Sequence, residues 1–393
     1  MKCISSISWL GDRKIVFVFG CLELGGAERQ GFLLARHLKE VLGLRVKVLG
    51  LDGEPGRLAQ MCQEASIPWH AMRLGRQRTR REWIGSLIRF TIQVRRERPA
   101  LLIPYTKNAN ILSGLAWRLV GARGSIWNQA DEGLGMGREP INRLAVAMTP
   151  SFISNSSGGS TFLQQCYGVP AAMIDVIHNG VSLAPSVAGR QEWRARCGVP
   201  EEAFAACMVA NISRFKDHVT LLKAWQKLPA LLPEEHPPVL VLAGRFDGPE
   251  KELFRLAEDL GISERVRFLG AVSDVSGLLG AVDLFVYSSK SEGLPNAVVE
   301  AMTSGLPVAG SDIPGIREAV GTRGAEFLAP VGDADALAGV MARLIRDPVL
   351  CREYGEGLRD RAAEEFALPV MLARTLRYLD LYSGANHNMR TVR

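Results

Sequence analysis

An α/β protein of two Rossmann-like units is the fold class the sequence predicts, and three observations predict it. At 393 residues the chain exceeds what one hydrophobic core usually organises, so two units are expected. Short β-branched runs alternate with helical patterns in two separate series, the punctuation of parallel βαβ units. Between the two series lies a weakly periodic stretch, 182–200, with several Pro, Gly and Ala residues, where the domain linker is expected.

The first series reads IVFVFG from Ile15, a helix through Phe32 and Leu38, RVKVLGL, and a helix over 58–65. It continues with ALLIPY at 100–105, a helix over 109–120, SIWNQA, FISNSS, a helix containing Phe162 and Leu163, and the strand-like VIH at 176–178. The second runs AACMVANI, a helix over 219–228, VLVLAG, a helix over 250–260, VRFLG, a short helix, LFVYSS, a helix over 296–304, PVAGS and EFLAP. The apolar runs read as buried parallel strands. The last helical patterns, 336–345 and two within 349–382, exceed what one sheet face needs, so one is expected to cross back to the first unit. The expected boundaries are 1–185, 200–365 and a returning helix in 366–393.

A hydrophobic content of 47% with 22% charged residues is ordinary for a globular protein and leaves no room for a long disordered tail beyond the ends. No apolar run approaches the roughly 20 residues that span a bilayer, and Ile15 to Phe19 is too short for a secretory signal, so a cytoplasmic address is expected. The seven cysteines are scattered without a C-x-x-C pair, which argues against zinc and against a disulfide framework.

The net charge of +6 hides an asymmetry: residues 1–185 hold 23 Lys and Arg against 13 Asp and Glu, leaving the remainder at −4. Nine arginines fall from Arg73 to Arg98, with Trp83, Ile84, Leu87, Ile88 and Val94 at helical spacing among them. Two readings stand: a basic amphipathic helix on an anionic membrane surface, or a surface helix packing one face on its own sheet. Nucleic acid is not an expected partner, because no binding module accompanies the arginines.

Parallel sheets bind ligands at the carboxyl ends of their strands, which singles out four segments. Gly25-Gly26 follows the first strand and opens a helix, where backbone N–H groups can approach an anion; a plain tight turn is the alternative. In Ser291 to Met302, Glu292 lies in the loop and Glu300 in the next helix. Carboxylate acceptors there suit sugar hydroxyls, and the helix start at Gly293, Leu294 and Asn296 suits phosphate; a capping carboxylate and a solvated helix residue are the bland reading. Asn211, Arg214 and Lys216 precede a helix where cations would meet a diphosphate, or lie as surface charges. Gly270 ends a strand where backbone groups could pair with a base edge, a simple strand exit being the alternative.

Together these segments resemble the retaining glycosyltransferases of family 4, the "glycosyl transferases group 1" with the GT-B fold, most strongly over 205–335. The family's E-G-x-P/G-x-x-x-x-E-A-M signature is matched from Glu292 to Met302, GGAER at 25–29 resembles its phosphate or acceptor loop, and Asn179-Gly180-Val181 the end of its first domain. The resemblance implies two Rossmann-like domains facing across a cleft, with a C-terminal helix returning to the first. It further implies a hexosyltransferase that moves a sugar from a nucleoside-diphosphate sugar, with retention, to a polyprenyl-linked or cell-envelope glycan acceptor. By the same resemblance Glu292 contacts the donor sugar, Glu300 the ribose and Lys216 the diphosphate.

Two departures accompany it. Asn211 stands where an Arg is common, with Arg214 nearby as a substitute cation. No His occurs between His70 and His178, where many members place one beside the reactive carbon; Asn128, Gln129 or Asp131 is expected to line the acceptor side instead. Charge growing on the leaving phosphate would be met by Lys216, Gly25-Gly26 and the helix start after Glu292, so no metal or other cofactor is expected. A peripheral position on the inner face of the cell membrane would follow from the arginine-rich helix. A degenerate nucleotide-sugar-binding subunit and a GT-B-type sugar-nucleotide epimerase are the rival readings.

Overall fold

The computed structural model describes residues 12–74, 79–133, 135–232 and 237–380. The chain divides into two units: one runs to Gly180 and resumes at Pro369, and the other spans Val181–Leu368.

The first unit contains β1 (Lys14–Phe19), α1 (Gly26–Glu40), β2 (Val46–Gly50), α2 (Arg57–Glu64), β3 (Trp69–Ala71), α3 (Arg80–Arg96), β4 (Pro99–Pro104), α4 (Lys107–Ala116), β5 (Gly124–Gln129), α5 (Pro140–Met148), β6 (Ser151–Ser154), α6 (Ser157–Tyr167) and β7 (Ile174–Val176). Among the described residues these strands form one parallel sheet ordered β3-β2-β1-β4-β5-β6-β7. Every residue of β4 and β5 is buried, as expected of strands covered by helices on both faces. The order reverses between β1 and β4, which opens a crevice at their carboxyl ends.

The second unit contains α7 (Arg190–Arg196), β8 (Ala205–Val209), α8 (His218–Lys227), β9 (Val239–Ala243), α9 (Glu250–Asp259), β10 (Val266–Gly270), α10 (Val275–Ala281), β11 (Leu284–Tyr287), α11 (Asn296–Thr303), β12 (Val308–Ser311), α12 (Pro314–Gly324), β13 (Leu328–Ala329), α13 (Ala334–Arg346) and α14 (Pro348–Glu365). Its parallel sheet is ordered β10-β9-β8-β11-β12-β13, so the reversal falls between β8 and β11. Trp225, Phe285 and Phe327 are among the largest side chains of its core. Aspartates start several of its helices: Asp217, Asp274, Asp333 and Asp347 each accept a backbone N–H of the first turn, which satisfies a donor the helix cannot.

The stretch expected as a linker, 182–200, is instead built into the second unit. Within it α7 buries Trp193, whose indole N–H donates to Asp274 Oδ2 at 3.0 Å, and Arg194, whose guanidinium meets Ala281 O at 3.0 Å. The low periodicity of the sequence reflects the shortness of α7. The chain enters and leaves this unit side by side: Val181 N donates to Phe366 O at 2.8 Å, and Leu368 N donates to Val181 O at 3.0 Å. The last helix, α15 (Leu368–Asp380), packs in the first unit, where Tyr378 Oη donates to Phe152 O at 3.2 Å.

Trp193→Ala is expected to destabilise the second unit by about 3–5 kcal/mol, read as a lowered denaturation midpoint. An unchanged midpoint would mean that 182–200 is a linker after all.

Candidate functional site

At the reversal point of the second sheet, the loop after β11 places Glu292 over the carboxyl end of that strand. Glu292 Oε1 accepts from Ser289 Oγ at 2.9 Å and from Tyr287 Oη at 3.3 Å, and it forms an ion pair with Lys216 Nζ. Lys216 arrives from the loop after β8, which joins this loop through a backbone bridge between Lys216 and Ser289. Its ammonium stands 5.2 Å from the centroid of the Tyr287 ring, a cation–π placement. Tyr287 and Ser289 are buried, so one carboxylate oxygen and one ammonium are held by a phenol, a hydroxyl and each other. Burial pushes Lys216 down to about 8, because taking an ammonium out of water disfavours its charged form.

The neighbours of Lys216 do structural work. Asp217 caps α8, accepting from Thr220 N at 3.3 Å and Thr220 Oγ1 at 2.7 Å. His218 is 2% exposed, and burial first, then Lys216, pushes it down to about 4; it is a neutral ring at neutral pH and no cation for a phosphate. Asn211 Oδ1 accepts from Arg245 N at 3.3 Å, tying this loop to the exit of β9. That commitment accounts for an amide at the position and supplies no positive charge. Arg214 is exposed on the same loop.

Glu300 is 5% exposed on α11, and its charge, after burial, helps push the Tyr287 phenol up. Both signature glutamates therefore act on one tyrosine, which the sequence reading missed because a strand-terminal Tyr reads simply as core. Leu294 lies in the hydrophobic core, leaving only its backbone for a ligand, while Asn296 begins α11 beside it. Gly293 is buried against Gly315 of α12: a Cβ on Gly315 would stand 1.6 Å from Gly293 O. A glycine at 315 is thus what lets the Glu292 loop settle. Gly270 has φ +68, and its carbonyl accepts from Gly244 N at 2.8 Å.

In the first unit, Gly25 is the N-cap of α1, with Gly26 its first residue. A Cβ on Gly25 would lie 2.5 Å from Glu28 Oε2, so the acid of the first turn folds back over the helix start, where its charge suits the dipole. A phosphate there would meet this carboxylate. The residues expected on the acceptor side are engaged in their own loop. Asp131 Oδ1 accepts from Gln129 Nε2 at 3.0 Å and from Gly133 N at 2.8 Å; Gln129 Oε1 accepts from Trp127 Nε1 at 3.0 Å. Asn128 Nδ2 donates to Pro104 O at 2.9 Å. Thr106, unremarked in the sequence, lies between β4 and α4 as the N-cap of that helix, with φ +76, a conformation that a β-branched residue adopts only under strain. It sits at the reversal point of its sheet.

Over 93% of the chain and 99% of theirs, the coordinates superpose on HepE of Anabaena, solved in complex with UDP and glucose, with a TM-score of 0.81 at 21% identity. The fold is that of the GT-B glycosyltransferases. Residues 189–361, which contain Lys216, Glu292 and Glu300, match the family described as glycosyl transferases group 1. The chain is 31% identical over 170 residues to the N-acetyl-alpha-D-glucosaminyl L-malate synthase of Bacillus anthracis, covering 43% of each chain. It is 32% identical over 172 residues to the lipopolysaccharide core biosynthesis glycosyltransferase LpsE of Rhizobium meliloti (strain 1021), covering 44% of this chain and 46% of that one. The chain spans about half the length of the curated relatives it matches.

Since burial pushes Lys216 down to about 8, whatever affinity its ammonium contributes toward a nucleoside diphosphate should fall as pH rises through that value. Titration calorimetry across this range should show the loss, and Lys216→Arg, whose charge persists, should flatten it. A limb that remains in Lys216→Arg would assign the titration to another group.

Proposed function

We propose that the chain is a family 4 hexosyltransferase that moves a sugar from a nucleoside-diphosphate sugar to a lipid-linked or cell-envelope glycan acceptor, with retention at the anomeric carbon. The observation that carries this reading is the convergence of Lys216, Glu292 and Tyr287 at the reversal point of the second sheet. Glu300 follows at the family's spacing within the matched segment. The donor assignment draws support from HepE, which binds UDP and glucose, and the envelope acceptor from LpsE.

In this scheme the bond between the anomeric carbon and the diphosphate breaks through an oxocarbenium-like state, and negative charge grows on the leaving phosphate, while the acceptor hydroxyl oxygen bonds to that carbon and its proton passes to the leaving phosphate. Lys216 and the backbone N–H groups at the start of α11 are donors for that charge, and no metal or cofactor has a part in it. Glu292 accepts from the sugar's hydroxyls and Glu300 from the ribose. Bringing Lys216 to the phosphate requires it to exchange Glu292 for the ligand, which frees that carboxylate for the sugar. An acceptor of this kind is presented at a membrane, and a peripheral position on the inner membrane face fits the basic stretch from Arg73 to Arg98; no described helix is long and apolar enough to cross a membrane.

A second reading, a nucleotide-sugar-binding subunit without transfer activity, is favoured by one observation: Asn211, Asn128, Gln129 and Asp131 are all committed to backbone or loop contacts.

Thermal unfolding of the purified protein with UDP, GDP and ADP and their sugar conjugates tests the donor site, since a ligand that binds the native state raises its melting temperature. One nucleotide series should stabilise the protein, and Glu300→Ala should abolish the shift. Stabilisation that survives Glu300→Ala would place the nucleotide elsewhere. Donor turnover by the chain alone separates the transferase from the binding subunit.

A further inference from the structure

Helix α3 carries two apolar faces where one sheet requires one. Phe90 and Val94 are buried in the first unit's core, with Trp83 and Leu87 packed against it. Ile84, Ile88 and Ile92 recur every fourth residue on the other side and are 59%, 54% and 49% exposed. The periodicity of the sequence merges these two stripes, and only the packing separates them. Arg81 precedes Ile84 by three residues and Arg95 follows Ile92 by three, so both exposed guanidinium groups share the isoleucine face. The helix, RREWIGSLIRFTIQVRR, contains a single acid, Glu82, and its side chain is committed to the capping box with Thr79. Beyond the helix the same character continues: Arg95 Nη1 donates to the carbonyl of Leu119 at 2.9 Å, and Leu119 is 55% exposed.

We propose that the Ile84, Ile88 and Ile92 face of α3, with Arg81 and Arg95 at its ends, is a docking surface for an anionic lipid bilayer. The inference deepens the peripheral position suggested above by naming its contact residues. A stripe of three isoleucines extends about 12 Å along the helix axis, and it can lie in the plane of an interface with its apolar side chains below the headgroups. The terminal arginines then meet lipid phosphates, and the absence of acid from this face removes repulsion. Charge decides against a second copy of the chain, because a two-fold contact of this face on itself would set the arginines of one copy against those of the other.

Co-sedimentation with vesicles tests this at low ionic strength. The full chain should sediment with vesicles of equal parts phosphatidylglycerol and phosphatidylcholine, and not with phosphatidylcholine alone. Replacing all three residues, Ile84→Ser, Ile88→Ser and Ile92→Ser, should lower the partition coefficient at least about tenfold. Arg81→Gln with Arg95→Gln should lower it about thirtyfold, two charges at about 1 kcal/mol each. Circular dichroism checks that each variant is folded, and the thermal shift with the stabilising nucleotide series, expected to be unchanged in all of them, keeps this test separate from the donor site. Absence of binding by the parent protein, or equal binding by the isoleucine variant, overturns the proposal. So does sedimentation velocity showing a dimer that the isoleucine variant dissolves, which would make the face an interface between copies. If instead none of UDP, GDP and ADP shifts the melting temperature while vesicle binding follows the expected pattern, the docking surface stands and the donor assignment falls.

Discussion

An ammonium group withdrawn from water must be compensated, and the compensation of Lys216 organises the second unit's site. The lysine lies over the Tyr287 ring and against Glu292, whose same oxygen takes bonds from Tyr287 and Ser289. Leaving either charge without the other in this place would cost more than the pair returns in stability. The arrangement keeps two opposite charges paired at the crevice, and the proposed function gives each a different part of one ligand. Everything around it serves to bring the two loops together: the backbone bridge from Lys216 to Ser289, the Asp217 cap that starts α8, and the missing Cβ at Gly315.

The sheet orders explain why that pair sits where it does. Reversal between β8 and β11 sends the two flanking connections to opposite faces, so the loops carrying Lys216 and Glu292 are neighbours at one strand end. The first unit repeats the plan between β1 and β4, and there the distinctive features are the strained Thr106 and the Glu28 carboxylate folded over the start of α1. The two crevices differ in character: one holds a part-buried cation and anion, the other a covered helix terminus and a loop braced by amides.

Much of this was legible in the sequence, because buried parallel strands are written as runs of Val, Ile and Leu, and the glutamate spacing is a local pattern. What escaped it depended on neighbours distant along the chain. Arg194 and Trp193 looked like part of a linker because their partners, Ala281 and Asp274, lie far along the sequence. Asp131 looked available because a loop acid at a strand end gives no sign that Gln129 and Gly133 already hold it. Tyr287 read as core, and its hydroxyl acquires a role only once Glu292 folds back over it. Thr106 gives no signal at all, since strain is a property of the backbone path and not of the residue type.

The central claim is that Lys216 exchanges Glu292 for a diphosphate. Its most direct measurement is a double-mutant cycle on UDP affinity by titration calorimetry, with Lys216→Met, Glu292→Gln and the combination. The account predicts that Lys216→Met weakens binding, that Glu292→Gln alone tightens it by releasing the lysine, and that Glu292→Gln has no effect once Lys216 is gone. Equal effects of Glu292→Gln in both backgrounds, or UDP affinity indifferent to Lys216→Met, would contradict it.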